Sequence, residues 1–208
     1  MLAASFADPS IFNYIYPMDN SLLVQNDLIK KEADEILTGK RLLSILNLFG
    51  TPHISGSYAL NLMTWRDLDI YLEVENISKS DFFILGKKIE AIFNPIKMSF
   101  RNEIIGKTKG LPNGLYWGIY LGNERLGAWK IDIWAVKSFE CKRLLNYCTT
   151  IQKKLTPENS FQILNIKSRC WQDPEYRRSY TSLDIYTAVL EKNITTFGAF
   201  KKYLKTIL

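Results

Sequence analysis

The chain has 208 residues, 47% hydrophobic and 23% charged, which suits one domain or one with an appended half and excludes both a disordered chain and a membrane-embedded one. Twenty-seven basic against 21 acidic side chains leave a net charge of +6, which attracts phosphate as nucleotide, polynucleotide or anionic surface. Three cysteines with no Cys-x-x-Cys pair exclude a disulfide framework and point to a reducing compartment, and a single histidine, His53, excludes most zinc chemistry.

Residues 1–8 have no basic start and too short an apolar run for a secretory signal. No later stretch reaches the ~18 uninterrupted apolar residues of a spanning helix, so a soluble cytoplasmic protein with no membrane partner is expected. Residues 22–49 set Leu23, Leu28, Ile29, Ala33, Ile36, Leu37, Leu43, Leu46 and Phe49 near helical spacing, which predicts an amphipathic helix interrupted at Gly39. Gly50 reads as a left-handed stop, Pro52 blocks further helix, and a short extended piece over 53–55 follows. Residues 67–74 alternate polar and apolar, the period of a strand with one face on a core. Ser80-Asp81 reads as the cap of a helix to Phe93, with Phe82, Leu85, Ile89 and Ile92 on one stripe.

Residues 96–101, 115–121 and 126–136 read as three more strands, the last two joined through Gly122-Asn123 as a hairpin, and 102–113 as an exposed Gly- and Lys-rich loop. Beyond Lys137 helix starts take over. Thr156-Pro157-Glu158 and Asp173-Pro174-Glu175 each place a capping residue before a proline. Thr181 or Ser182 opens another helix, and Thr195 or Thr196 the last, with Phe197, Phe200, Leu204 and Ile207 on one face. The expected division is an α+β part over 1–136 and a helical part over 137–208.

The chemistry concentrates in residues 54–72. Gly56-Ser57 is followed, after the intervening residues 58–66, by Asp67-Leu68-Asp69 inside the predicted strand. Glycine lets the backbone approach an anion, and Ser57 can offer N–H and hydroxyl at the start of a short helix over 58–62, so this turn can cradle phosphate. Asp67 and Asp69, two apart on a strand, share a face and can share hard divalent cations. Such a pair alone is more often a solvated face, but a third carboxylate changes that. Asp132, between Ile131 and Ile133, would be costly to bury unless paired or metal-bound, so its strand should lie beside that of Asp67 and Asp69.

Gly56-Ser57, Asp67-Leu68-Asp69 and Ile131-Asp132-Ile133 resemble, in order, the three-part pattern of the nucleotidyltransferases of the DNA polymerase β superfamily. The likeness covers about residues 54–136. It implies an α+β fold with a mixed sheet of about five strands, helices packed on it and a helical C-terminal region. It also implies Mg²⁺-dependent transfer of a nucleoside monophosphate from an NTP to an acceptor hydroxyl, releasing pyrophosphate. Asp67, Asp69 and Asp132 would then be catalytic and hold two Mg²⁺ ions, with Gly56 and Ser57 on the β and γ phosphates and Asp132 drawing the acceptor proton. Many minimal members continue Gly-Ser-x-Ala-Arg-Gly, whereas this chain reads Tyr58-Ala59-Leu60-Asn61. The small-molecule, antibiotic-type branch therefore looks nearer, and a small hydroxylated acceptor is expected. A nucleic acid or protein acceptor is the alternative, and a non-catalytic nucleotide-binding module stands behind both.

Other residues carry less. Lys130 shares a strand face with Asp132 and is read equally as a nucleotide-binding cation or as an ion-pair partner of the aspartates. Trp117, Trp129 and Trp134 are more often core than base-stacking platforms. Cys141 and Cys148 read as small apolar packing groups, Arg66 as a surface residue, His53 as structural, and Glu140 as a weak candidate for a second base. Lys97, Arg101, Lys107 and Lys109 surround the predicted loop, where a solvated loop is the default and a polyanion site the alternative.

Overall fold

A computed structural model describes residues 20–76 and 78–207. Residues 1–8, read above as lacking a leader, lie outside them. Helix α1 (Asn20–Asp34) runs into a π-helical turn over Glu35–Gly39, and the chain reverses at Arg41 (φ 59°) before α2 (Leu42–Leu46). The predicted break near Gly39 is thus a wider turn plus a left-handed residue. Gly50 is not left-handed. It is needed because a β-carbon there would overlap the carbonyl oxygen of Glu73.

Five strands follow: β1 (Thr51–Ile54), β2 (Asp67–Glu73), β3 (Lys97–Asn102), β4 (Gly114–Tyr120) and β5 (Lys130–Val136). They form one mixed sheet in the order β1-β2-β5-β4-β3, in which β2 and β5 are parallel and the other pairs antiparallel. Between them lie the four-residue helix α3 (Gly56–Ala59), then α4 (Lys79–Phe93) and the short α5 (Glu103–Gly106). Ser78, rather than Ser80, caps α4 by accepting the Asp81 N–H at 3.0 Å. The predicted exposed loop over 102–113 contains α5, whose Glu103 is buried by bonds from Arg101 and the Thr108 N–H. β5 starts at Lys130 rather than 126 because Glu124–Leu126 form a 3-10 turn, closed by Gly127 at φ 88°.

The alternation read in β2 holds in space. Leu68, Ile70 and Leu72 face a core shared with Ile131 and Ile133 of β5, Leu115, Trp117 and Ile119 of β4, and Phe82, Leu85 and Ile89 of α4. Trp117 therefore belongs to the core. The helical part comprises α6 (Ser138–Gln152), α7 (Pro157–Cys170), α8 (Ser182–Lys192) and α9 (Phe197–Ile207). Thr156 and Thr181 each close a reciprocal capping box. Asp173-Pro174-Glu175 starts no helix: Asp173 accepts the Glu175 N–H at 2.9 Å in a tight turn, and Arg177 is left-handed at φ 69°. A second apolar body joins Ile163, Ile166, Ile185, Val189 and Phe200 to Leu60, Leu62 and Trp65 from the segment before β2. Among the described residues no helix is long and apolar enough to cross a membrane.

Leu85 is fully buried on α4, whereas its neighbour Ile84 is 50% exposed. Leu85→Ala should lower stability by about 2–5 kcal/mol in urea unfolding, and Ile84→Ala by no more than about 0.5 kcal/mol.

Candidate active site

Parallel pairing of β2 with β5 sets Asp67 beside Lys130 and Asp69 beside Asp132. Residues opposed across a ladder share a face, so all four side chains rise from the side of the sheet away from α4. β4 continues that face with Tyr116, Gly118 and Tyr120, and Gly118 is the residue opposite Asp132. The three predicted carboxylates are thereby brought together.

The predicted phosphate turn abuts them. Ser55 donates its N–H to the Asp69 carbonyl at 2.9 Å, and the chain then turns at Gly56 with φ 60°. A β-carbon at Gly56 would overlap Asp69 Oδ2, so glycine serves both the left-handed backbone and the close approach. The helix after it is shorter than expected, ending at Ala59 because Asn61 is left-handed at φ 57°.

Each carboxylate has a different environment. Asp67 Oδ2 accepts from Arg177 Nη2 at 3.1 Å and Trp65 Nε1 at 3.4 Å. Its Oδ1 is buried without a hydrogen bond, and Lys130 Nζ lies 3.8 Å away. Asp132 accepts from the Tyr116 hydroxyl at 2.7 Å and makes a close ion pair with Lys130. Burial, followed by the charges of Asp67 and Asp132, pushes Asp69 up to about 7. Burial acts on Asp67 too, but Lys130 and Arg177 outweigh it and hold that carboxyl below the usual range. Burial leaves Asp132 above its ordinary value despite Lys130. Burial opposes the charge on Lys130, yet Asp67 and Asp132 together raise it.

These residues fit a hard divalent cation. A buried carboxylate oxygen without a hydrogen bond, and a neighbouring carboxyl whose charged form is disfavoured by burial and then by like charges, both improve when Mg²⁺ binds. Asp67, Asp69 and Asp132 are the oxygens that would hold it.

A cleft of about 190 Å³ opens beside Asp67 and Asp69, walled by Gly56 and Ser57 on one side and by Tyr147 and Tyr186 of the helical part on another. Behind its lining, bonded to Ser57 and Tyr186, stands a residue that the sequence does not announce. Lys167 of α7 is fully buried. It donates to Ser57 Oγ at 2.6 Å, to the Leu62 carbonyl at 2.7 Å and to the Tyr186 hydroxyl at 3.3 Å. Burial pulls its pKa down to about 7, against the opposing pull of Asp67 and Asp69. A signal existed: Lys167 lies four residues after Ile163 and three before Cys170, on the stripe that α7 buries. Arg177 and Tyr116 were missed as well, and nothing near either in the sequence marks it.

The remaining predictions separate. Lys130 takes the ion-pair role in this structure. Arg66 pairs with Glu32 at the surface and with the Gly127 carbonyl. Trp129 bonds Glu32, while Trp134 packs on Tyr116 on the carboxylate face, ring centroids 4.7 Å apart. Glu140 pairs with Arg143 and accepts the Asn113 N–H, and it does not line the cleft. Cys141 is buried on α6 as expected, whereas Cys148 lines the cleft.

No protein-family model and no curated protein matches the chain. Solved structures do match in fold. A cytoplasmic RNA terminal U-transferase matches at 15% identity and TM-score 0.51, covering 87% of this chain and 48% of its own. The Cid1 poly(U) polymerase with Mg and 3′-dATP matches at 17% identity and TM-score 0.51, over 87% of this chain and 52% of its own. A Cid1 variant bound to MgATP matches at 15% identity and TM-score 0.53, over 79% and 50%. The chain thus has the nucleotidyltransferase fold and spans about half the length of these proteins.

Asp69 must lose its proton to bind a cation, so Mg²⁺ affinity should rise roughly tenfold per pH unit below about 7 and level off above it. Calorimetric titration at pH 6, 7 and 8 checks this; an affinity independent of pH over that range contradicts it. Gly56→Ala should cost about 1–3 kcal/mol in thermal or urea unfolding, because φ 60° and the overlap with Asp69 coincide.

Proposed function

We propose that the chain transfers a nucleoside monophosphate from an NTP to the terminal hydroxyl of an RNA acceptor, releasing pyrophosphate. The observation that carries this reading is the convergence of Asp67, Asp69 and Asp132 on one sheet face beside the Gly56-Ser57 turn. Two Mg²⁺ ions held by those carboxylates would neutralise charge on the triphosphate and on the attacking and leaving oxygens.

The chain's own groups take the remaining roles. The Gly56 turn and Ser57 receive the β and γ phosphates and fix the α phosphorus for attack. Lys167, bonded to Ser57 Oγ, supplies a cation beneath them, and a bound triphosphate would favour its charged form. Asp132, with its pKa raised, accepts the proton of the attacking hydroxyl, while the Tyr116 hydroxyl holds the carboxylate in orientation. Lys130 offsets charge between Asp67 and Asp132 and is placed to meet phosphate once cations engage those carboxylates.

The acceptor reading departs from the small hydroxylated molecule expected from the sequence. The solved structures that share the fold carry names that place them on RNA. The surplus of +6 suits a polyanion. Trp134, half-buried on the Asp132 face with its ring tilted against Tyr116, is an aromatic of the kind on which an unpaired base stacks.

Asp69→Asn should abolish transfer while leaving the fold intact. The test incubates labelled single-stranded RNA with each NTP and Mg²⁺ and resolves extension products; extension surviving in this variant rejects the site. Adducts appearing only on metabolites, with no extended RNA, would return the acceptor to a small molecule. Lys167→Met should raise the NTP KM by roughly ten- to a hundredfold, the range of a lost charged hydrogen bond. A KM unchanged in that variant would remove Lys167 from the phosphate site.

A further inference from the structure

The carboxylate face of the sheet carries a second cluster at its other end. His53 on β1 opposes Tyr71, Glu73 closes β2, and Cys141 lies in the first turn of α6. His53 Nε2 and Glu73 Oε2 are 2.9 Å apart, and one ligand atom from each of the three residues lies within 4.8 Å of the other two. Glu73 is four residues beyond Asp69, which at ~3.3 Å per residue separates the two positions by about 13 Å. The cluster is therefore distinct from the Asp67, Asp69 and Asp132 site.

Two features mark it as more than an ion pair. Cys141 is fully buried, yet its sulfur makes no hydrogen bond to a described residue and faces a carboxylate that an apolar side chain would not need to meet. His53 and Glu73 have side chains 31% and 27% exposed, so solvent reaches the front of the cluster while the thiol closes the back. The donor types are imidazole nitrogen, carboxylate oxygen and sulfur, a set that suits zinc and not magnesium. Zinc bonds of about 2.0–2.3 Å in a tetrahedron put ligand atoms roughly 3.3–3.7 Å apart, a spacing that atoms already within 4.8 Å of one another reach by small side-chain shifts.

We infer that His53, Glu73 and Cys141 form a Zn²⁺ site, separate from the catalytic carboxylates, that ties the β1–β2 ladder to the start of α6. On binding, the Cys141 thiol releases its proton to solvent and its sulfur bonds the ion, while His53 and Glu73 exchange their mutual hydrogen bond for bonds to the metal. Water completes the fourth position. The sequence reading held that one histidine excludes most zinc chemistry. A cysteine and a glutamate from other elements supply what a second histidine would have provided. Because α6 carries Tyr147 and Cys148 into the cleft, the ion would fix a helix that walls it.

The test uses the full chain stripped with chelator and dialysed, then titrated with Zn²⁺ and, separately, Co²⁺. One equivalent of Zn²⁺ is expected to survive dialysis and raise Tm, and Co²⁺ to give a thiolate-to-cobalt charge-transfer band. Cys141→Ser should remove the band, and His53→Gln should weaken Zn²⁺ binding at least tenfold, each with native circular dichroism. Should Cys141→Ser fail to fold, His53→Gln alone decides. Asp69→Asn should retain the band, so loss of transferase activity and loss of this site read out separately. A Co²⁺ spectrum without the thiolate band, or one unchanged by Cys141→Ser, overturns the inference.

Discussion

Repulsion among Asp67, Asp69 and Asp132 is the constraint around which this molecule is arranged. Parallel pairing of β2 with β5 leaves Asp69 and Asp132 no freedom to separate. Without cations, the protein offsets the crowding with Lys130 and Arg177, and burial together with the neighbouring carboxylates raises Asp69 toward its neutral form. The sheet's far face holds this geometry rigid, since Ile131 and Ile133 flank Asp132 and are fully buried. The same alternation that anchors the strands in the core lifts the charges out of it. The packed apolar side chains and the clustered charges thus occupy opposite faces of the same two strands.

What could be read beforehand follows from how local each signal is. Gly56-Ser57 and Asp67-Leu68-Asp69 lie within one turn and one strand, and Asp132 stands out against its isoleucines, so the carboxylate centre was legible. Lys167 reaches Ser57 across 110 residues of sequence, a distance at which spacing says nothing, although its place on a buried helical stripe was visible. Asp173-Pro174 shows the reverse failure. The residues that cap a helix also make a tight turn, and only the seven residues remaining before Thr181, with Arg177 left-handed, decide between the two. Gly50 reads as a left-handed stop, whereas what requires glycine there is the close approach of the Glu73 carbonyl, which leaves no trace in the sequence around it.

Lys167 and Arg177 give the helical part a direct electrostatic share in the site. Arg177 reaches Asp67 and also Glu124. Lys167 rests on the Gly-Ser turn and the Leu62 carbonyl. The cleft is accordingly lined from both parts of the chain, by Gly56, Ser57, Asp67 and Asp69 of the sheet part and by Tyr147, Tyr176 and Tyr186 of the helical part.

Leu60, Leu62 and Trp65 precede β2 in the chain yet pack among α7, α8 and α9. Severing the chain after residue 136 would therefore open a hydrophobic hole in the helical part and leave bare apolar side chains on the sheet part, so the two parts stand or fall together.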